Sequence, residues 1–163
     1  MLEIKYIGIA VIIISVDFIR RCLMERIVRA RLECFEALTL VKQLRIQLSC
    51  YMKSEIEVCL CADIPCLSEA GFLKEVSSLG NIKEAFMKIM DKLLMPAEAK
   101  EMLLNMFSSF GTGYLNEELD VIVATEKRLS DLCDSVIEEE KKKSKLYFAI
   151  STALSLGTTL ILI

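Results

Sequence analysis

The last eighteen residues, LYFAISTALSLGTTLILI from Leu146 to Ile163, carry no charged side chain. A helix of that length rises about 27 Å, close to the roughly 30 Å of a bilayer's hydrocarbon layer. A core helix this long normally keeps a polar stripe, whereas here the polar groups are Ser and Thr hydroxyls and that of Tyr147. Such hydroxyls bond back to their own helix or across to a neighbouring one. Length and lack of charge therefore predict a transmembrane helix over 146–163, in preference to a core helix.

The composition as a whole is segmented. Hydrophobic residues make up 54% of the chain and mean hydropathy is +0.47, yet 26% of residues are charged, so oil and charge must occupy different stretches. The second apolar run, Tyr6 to Ile19, is fourteen residues long and contains Asp17, with Glu3 and Lys5 just before it. To span, it has to draw on flanking residues or a thinned bilayer. A cleaved signal peptide fits less well, because Arg20, Arg21, Arg26, Arg29 and Arg31 follow the run instead of preceding it and no small-residue cleavage site is present. The expected organisation is a membrane anchor over 1–19, a cytosolic helical domain over 20–145 and a transmembrane helix over 146–163. Lys and Arg beside a span favour the cytoplasmic side. Arg20 and Arg21 follow the first run, and Lys141, Lys142, Lys143 and Lys145 precede the second, which puts the central segment in the cytosol.

That central segment reads as all-α. From Ile27, an apolar or small residue recurs at Ala30, Cys34, Ala37, Val41, Leu44, Leu48 and Tyr51, steps of three and four that match the seam of a bundle or coiled coil. Leu32, Phe35, Leu38 and Ile46 suggest a second apolar face packed on further neighbours. Pro65 forces Ile64 out of helical geometry. Shorter helices are predicted over Leu67–Val76, ended by SSLG, over Asn81–Leu94 with Asn81 as cap, and over Ala97–Phe110 with Pro96 at its first turn. In FGTG, Gly111 or Gly113 can take the left-handed conformation that ends a helix. Asn116 can cap a last long helix whose first turn carries Glu117, Glu118 and Asp120; no breaker follows until Gly157. The economical fold is a helical bundle.

Chemistry is hard to place on this chain. It has no His, the residue that most often serves as general base or metal ligand near neutral pH, and no phosphate-binding glycine loop, nucleophile elbow or zinc-protease motif. A net charge of −3 and a pI near 5.2 leave little of the basic field that nucleic-acid binding uses. The seven cysteines are odd in number and irregularly spaced. They read as reduced, packing thiols, since Cys59, Cys61 and Cys66 lack the paired spacing of a tetrahedral zinc site. Glu117 and Glu118, and Glu138 to Glu140, read as solvated helix surface. The expectation is a non-enzymatic protein without cofactor, metal, small-molecule substrate or nucleic-acid partner, with membrane lipid as its surroundings.

The Arg-rich stretch RARLECFEALTLVKQLRIQL after the first anchor, Tyr51 at the end of that helix, Phe110-Gly111 before the last long helix and the closing LILI resemble the stage III sporulation protein AB family. The resemblance covers nearly the whole chain. That family reads F-G-x-x-L-G followed by Asp and Gln at the turn, where this chain has Tyr114-Leu115, keeps Asp120 nearby and lacks the Gln. Two tail glycines of the family correspond to Ser151 and Ser155, still a pair of small residues four apart on which another helix can pack closely. The family is in turn similar to inner-membrane platform protein F of type II secretion and type IV pilus systems. The resemblance implies a platform subunit of the channel between mother cell and forespore, in the mother-cell membrane, docking a secretion-type ATPase and other stage III sporulation membrane proteins. A second reading is a tail-anchored adaptor that pairs with a soluble partner through the Ile27–Tyr51 seam, with the N-terminal run as mere core. A third, an enzyme using Cys59 and Cys61, is more remote.

Overall fold

The computed structural model describes the backbone of residues 2–50, 53–111 and 115–162, and every described element is helical. Tyr51, Gly113 and Tyr114, and the side chains of Leu115 and of residues 161–163, lie outside the described residues. Seven α-helices follow in order: α1 (Leu2–Ser49), α2 (Glu55–Cys61), α3 (Pro65–Glu69), α4 (Phe72–Leu79), α5 (Ile82–Ile89), α6 (Ala97–Ser109) and α7 (Leu115–Leu162), with a 3-10 turn at Met90–Lys92 after α5.

By packing, the chain divides into two units. A central unit comprises Arg29–Val136, and an end unit comprises Met1–Val28 with Ile137–Ile163. Both divisions fall inside α1 and α7, whereas the boundaries read from sequence at 19/20 and 145/146 follow the change from apolar to charged residues.

The core of the central unit forms where the helical period places it. Cys34, Ala37, Val41, Leu44 and Leu48, five members of the expected seam, are buried, and α7 contributes Ile122, Leu129 and Cys133 at helical spacing. Along α1 and α7, Cys34 meets Cys133 and Arg45 Nη1 lies 3.1 Å from Glu126 Oε2. Partners thus advance on one helix as they recede on the other, an antiparallel pair. Between α4, α5 and α6 sits an aromatic cluster. Phe86 and Phe107 meet edge to face at 5.3 Å, Phe72 lies 6.3 Å from each, and Phe110 is 5.9 Å from Phe107. Such pairs add about 0.5–1.5 kcal/mol each beyond burial.

Two carboxylates of α1 hold the short helices against it. Glu33 is fully buried. Its Oε2 accepts the amides of Leu94 at 2.5 Å and Met95 at 2.8 Å, and Arg29 Nε reaches its other oxygen at 3.4 Å. One turn on, Glu36 accepts the amides of Cys66 and Leu67 at 2.9 and 3.0 Å. Helix α3 begins on Pro65 without a side-chain cap of its own, so Glu36 supplies from another helix what a local Ser or Asp usually supplies.

Several expectations need correction in detail. Helix α2 was not foreseen; Ser54 and Glu57 form a capping box, with Ser54 Oγ accepting from Glu57 N and Glu57 Oε2 accepting from Ser54 N. The expected helix Leu67–Val76 is two helices, because Gly71 takes φ +99°, a conformation natural only to glycine. Asn81 caps α5 as expected, accepting from Glu84 N at 3.1 Å, but the helix tightens into 3-10 at Met90 and ends before Leu94. Helix α7 starts at Leu115, so Asn116 lies in its first turn and is not its cap. Of the second apolar face of α1, Leu38 is buried, while Leu32, Phe35 and Ile46 are exposed. Finally, no helix among the described residues is long and apolar enough to cross a membrane. Lys145 closes the C-terminal run on one side and its last three side chains are outside the described set; Asp17, Arg20 and Arg21 interrupt the N-terminal one.

Removing the Glu33 carboxylate strands the buried Met95 amide, at about 1–3 kcal/mol, and takes the acceptor from the part-buried Leu94 amide. Glu33→Ala should therefore destabilise the full chain by about 3 kcal/mol. Glu36→Ala should cost about 1 kcal/mol, since the half-exposed end of α3 regains water. Urea unfolding followed by circular dichroism checks the order; equal midpoints for Glu33→Ala and the parent protein would contradict the clamp.

Candidate functional site

The turn that carried the family resemblance is tied down by a residue whose role went unread. Gly111 has φ +73°, the left-handed conformation expected of it or of Gly113, and donates its N–H to Glu118 Oε1 at 2.7 Å. Glu118 is buried, not solvated as expected; Glu117 beside it is exposed. Phe110, the residue after α6 and not part of it as expected, lays its ring against Phe107 and joins the rim of the core. Asp120 is exposed and does not join this turn. A groove of about 380 Å³ opens beside it, with Phe107, Phe110 and Ile82 among its walls and Glu55 and Lys83 adding opposite charges. Asn81 and Ser108 add polar groups to the same lining, so its walls are mixed in character.

In the end unit, α1 and α7 lie side by side. Asp17 holds both topology arginines: Arg20 Nη2 is 2.5 Å from Oδ1 and Arg21 Nε is 2.9 Å from Oδ2. The Arg20 guanidinium also sits 5.8 Å over the Phe148 ring, within cation–π range. Ser151 faces α1 across a groove shared with Val16, Ile19 and Leu23, and its hydroxyl donates to the Phe148 carbonyl at 2.9 Å. Ser155 donates to the Ser151 carbonyl at 2.9 Å. Both hydroxyls are therefore satisfied within α7, which leaves small, self-contained surfaces. Of the lysines, Lys142 and Lys143 pair with Glu138 and Glu139 one turn back, at 3.8 and 2.8 Å, and Lys141 and Lys145 are exposed.

Aliphatic side chains cover the outside of this unit. Val11, Ile12, Ile13, Ile14, Phe18 and Ile19 on α1 are exposed, as are Leu146, Phe148, Ile150, Leu154, Leu156 and Leu160 on α7; Leu160 reaches 79%. In the central unit, by contrast, the exposed large apolar residues are scattered over α1, α2, α5, α7 and the segment before α6.

The cysteines divide by burial. Cys34, Cys59 and Cys133 are buried, Cys66 is half-buried, and Cys22, Cys50 and Cys61 are exposed. Cys59 and Cys61 lie two apart on α2, so one faces the core and the other solvent. Burial, with Glu55 nearby, pushes the Cys59 thiol up to about 12. Burial and a hydrogen bond to Glu36 push Cys66 up to about 11, and the hydrogen bond with Cys133, followed by burial, raises Cys34. A thiol is nucleophilic only as thiolate, so these three are inert near neutral pH. Among the described residues no three His, Cys, Asp or Glu side chains gather closely enough to hold a metal ion.

One signal was available for what the sequence reading missed, and it concerns Glu33 alone. Glu33 is a lone acid on the apolar face of α1, between Ala30 and Ala37, a position that asks for a buried partner. Glu118 stands seven residues after a turn glycine, and nothing in spacing alone separates it from Glu117.

Maleimide labelling tests the division of thiols. In the native full chain Cys22, Cys50 and Cys61 should react, and Cys34, Cys59 and Cys133 only after denaturation. Raising the pH from about 7 to about 9 should not open Cys59, because its thiol stays protonated there; rapid labelling of Cys59 at the higher pH would contradict the assignment.

Compared with known proteins, the chain matches no family model, no curated protein and no solved structure.

Proposed function

We propose that this chain is a non-enzymatic membrane platform subunit, whose end unit sits in lipid and whose central helical unit presents a docking surface in the cytosol. The observation that carries the reading is the run of exposed aliphatic side chains on both helices of the end unit, bordered by Arg20, Arg21 and Lys145. Contiguous apolar surface of that kind is expensive in water, and four consecutive exposed apolar residues, Val11 to Ile14, are foreign to the surface of a water-soluble helix. In this reading residues 146–163 form a transmembrane helix and residues 1–19 an anchor, with the basic residues on the cytosolic side.

The same reading is the role implied by the resemblance to stage III sporulation protein AB: a subunit of the channel between mother cell and forespore, receiving a secretion-type ATPase and neighbouring membrane subunits. The groove beside Phe110 and the exposed Leu32, Phe35 and Ile46 of α1 are the surfaces on the central unit that such partners would meet. The adaptor reading is less well supported. It needs the α1 seam free for a partner, and Cys34, Ala37, Val41, Leu44 and Leu48 are already buried within the chain; it also treats the N-terminal run as core, and Val11 to Ile14 are exposed.

Extraction decides the membrane part. The full chain should stay with membranes through alkaline carbonate and come away with detergent. Maleimide added from the cytosolic side should reach Cys50 and Cys61. Affinity purification from detergent-solubilised sporulating membranes should recover a secretion-type ATPase. A chain that leaves the membrane in carbonate and runs as a monomer without detergent would overturn the reading.

A further inference from the structure

We infer that the paired helices of the end unit hold one anionic phospholipid, its phosphate on Arg20 and Arg21 and part of an acyl chain in the groove beside them. The inference rests on the membrane reading above and gives that surface a specific ligand. The groove, of about 120 Å³, is walled by Val16, Ile19, Leu23, Ile150 and Leu154, with Arg20, Tyr147 and Ser151 completing its lining. Its Ser151 hydroxyl is spent on the Phe148 carbonyl. A space so walled has few partners for ordered water and suits hydrocarbon.

The charge beside the groove is the second argument. Two guanidiniums share the single Asp17 carboxylate, which leaves the trio with a net positive charge. A guanidinium has five N–H donors, and each is seen to spend one on Asp17. The remaining donors form the fork that binds phosphate oxygens in pairs. Asp17 on one side and the Phe148 ring on the other hold Arg20 in position before any ligand arrives, which lowers the entropy that binding must overcome.

The two features together select the occupant. A free phosphate matches the guanidiniums and leaves the groove empty. A second copy of this chain brings the same positive trio to the contact, and a water-soluble peptide leaves the neighbouring Ile13, Ile14 and Phe18 in water. A zwitterionic lipid matches the groove, but its own cation competes for the phosphate. An anionic phospholipid satisfies both features.

Native mass spectrometry of the full chain released from detergent, with phosphatidylglycerol or phosphatidylcholine added in equal amount, tests this. The parent protein should retain one phosphatidylglycerol in preference to phosphatidylcholine, and excess inorganic phosphate should not displace it. Arg20→Gln with Arg21→Gln should weaken retention by roughly twenty-fold. Asp17→Asn should strengthen it about five-fold, a gain that misfolding does not produce. Equal retention of the two lipids, displacement by phosphate, or unchanged retention in the double arginine variant would overturn the proposal. Flotation with pure phosphatidylcholine vesicles reads the membrane proposal separately: the parent and the double variant should both float. Failure of both to float would sink the membrane reading and this one with it, whereas flotation combined with equal lipid retention would sink this one alone.

Discussion

A carboxylate shut away from water persists only where donors surround it, and Glu33 meets that condition by taking the amides of Leu94 and Met95. The need is mutual. Leu93 and Met95 are buried, so the segment leading into α6 cannot turn its amides to solvent, and Pro96 at the start of that helix offers no capping side chain. Glu36 repeats the arrangement one turn later for α3, whose first residue is Pro65. One turn of α1 thereby fixes where two other helices begin. With α6 so placed, Phe107 meets Phe72 and Phe86, and the aromatic cluster closes between α4, α5 and α6. Hydrophobic burial supplies most of the stability of such a unit, but it is non-directional; the two carboxylates say which register the short helices adopt.

The parts of this fold written in periodicity were legible. The α1 seam recurs every three or four residues, and each of its members from Cys34 to Leu48 is in the core, because a continuous helix leaves only one face to bury. Local punctuation was legible where a single residue decides it, as at Pro65, Asn81 and Gly111. It failed where two signals competed: Gly71 was absorbed into an otherwise periodic Leu67–Val76, and the Ser54/Glu57 capping box passed unnoticed beside the apolar seam that precedes it. What Glu33, Glu36 and Glu118 bind was illegible for a different reason. Each caps a segment 7 to 62 residues away in sequence, and a long-range cap leaves no local pattern. Of the candidate residues, Gly111 and Phe110 sit together at one turn while Asp120 faces away from it, since register along α7 and not closeness in sequence decides which acid turns inward.

The two ends of the chain pose a problem that protein packing within the chain does not solve. A helix apolar around its whole circumference needs apolar neighbours on every side, and two such helices lying together cover only the faces turned toward each other. The half-buried positions Ser151 and Ser155 of α7, and Val16 and Arg20 of α1, mark those faces; Leu156 and Leu160 point elsewhere. In the proposed reading lipid covers the remainder, and the serines matter because small side chains bonded to their own backbone let a helix be approached closely without adding an unsatisfied group.

The same reasoning gives a physical role to Asp17, the one charge within the N-terminal apolar run. An unpaired acid among aliphatic side chains at a bilayer is costly, and two unpaired arginines four residues or fewer away would repel each other. Joined as a trio, they offset one another and still leave a positive charge for the headgroup region, where the Arg20 guanidinium can lie over Phe148 with its remaining donors turned outward. In the proposed reading the position of the trio sets how far α1 enters the bilayer: the aliphatic residues from Val11 to Ile14 would go in, and Arg20 and Arg21 would stay at the surface. On that reading depth is decided by where the charges stop the apolar run, so a run too short to span by length alone would still hold a fixed position in lipid.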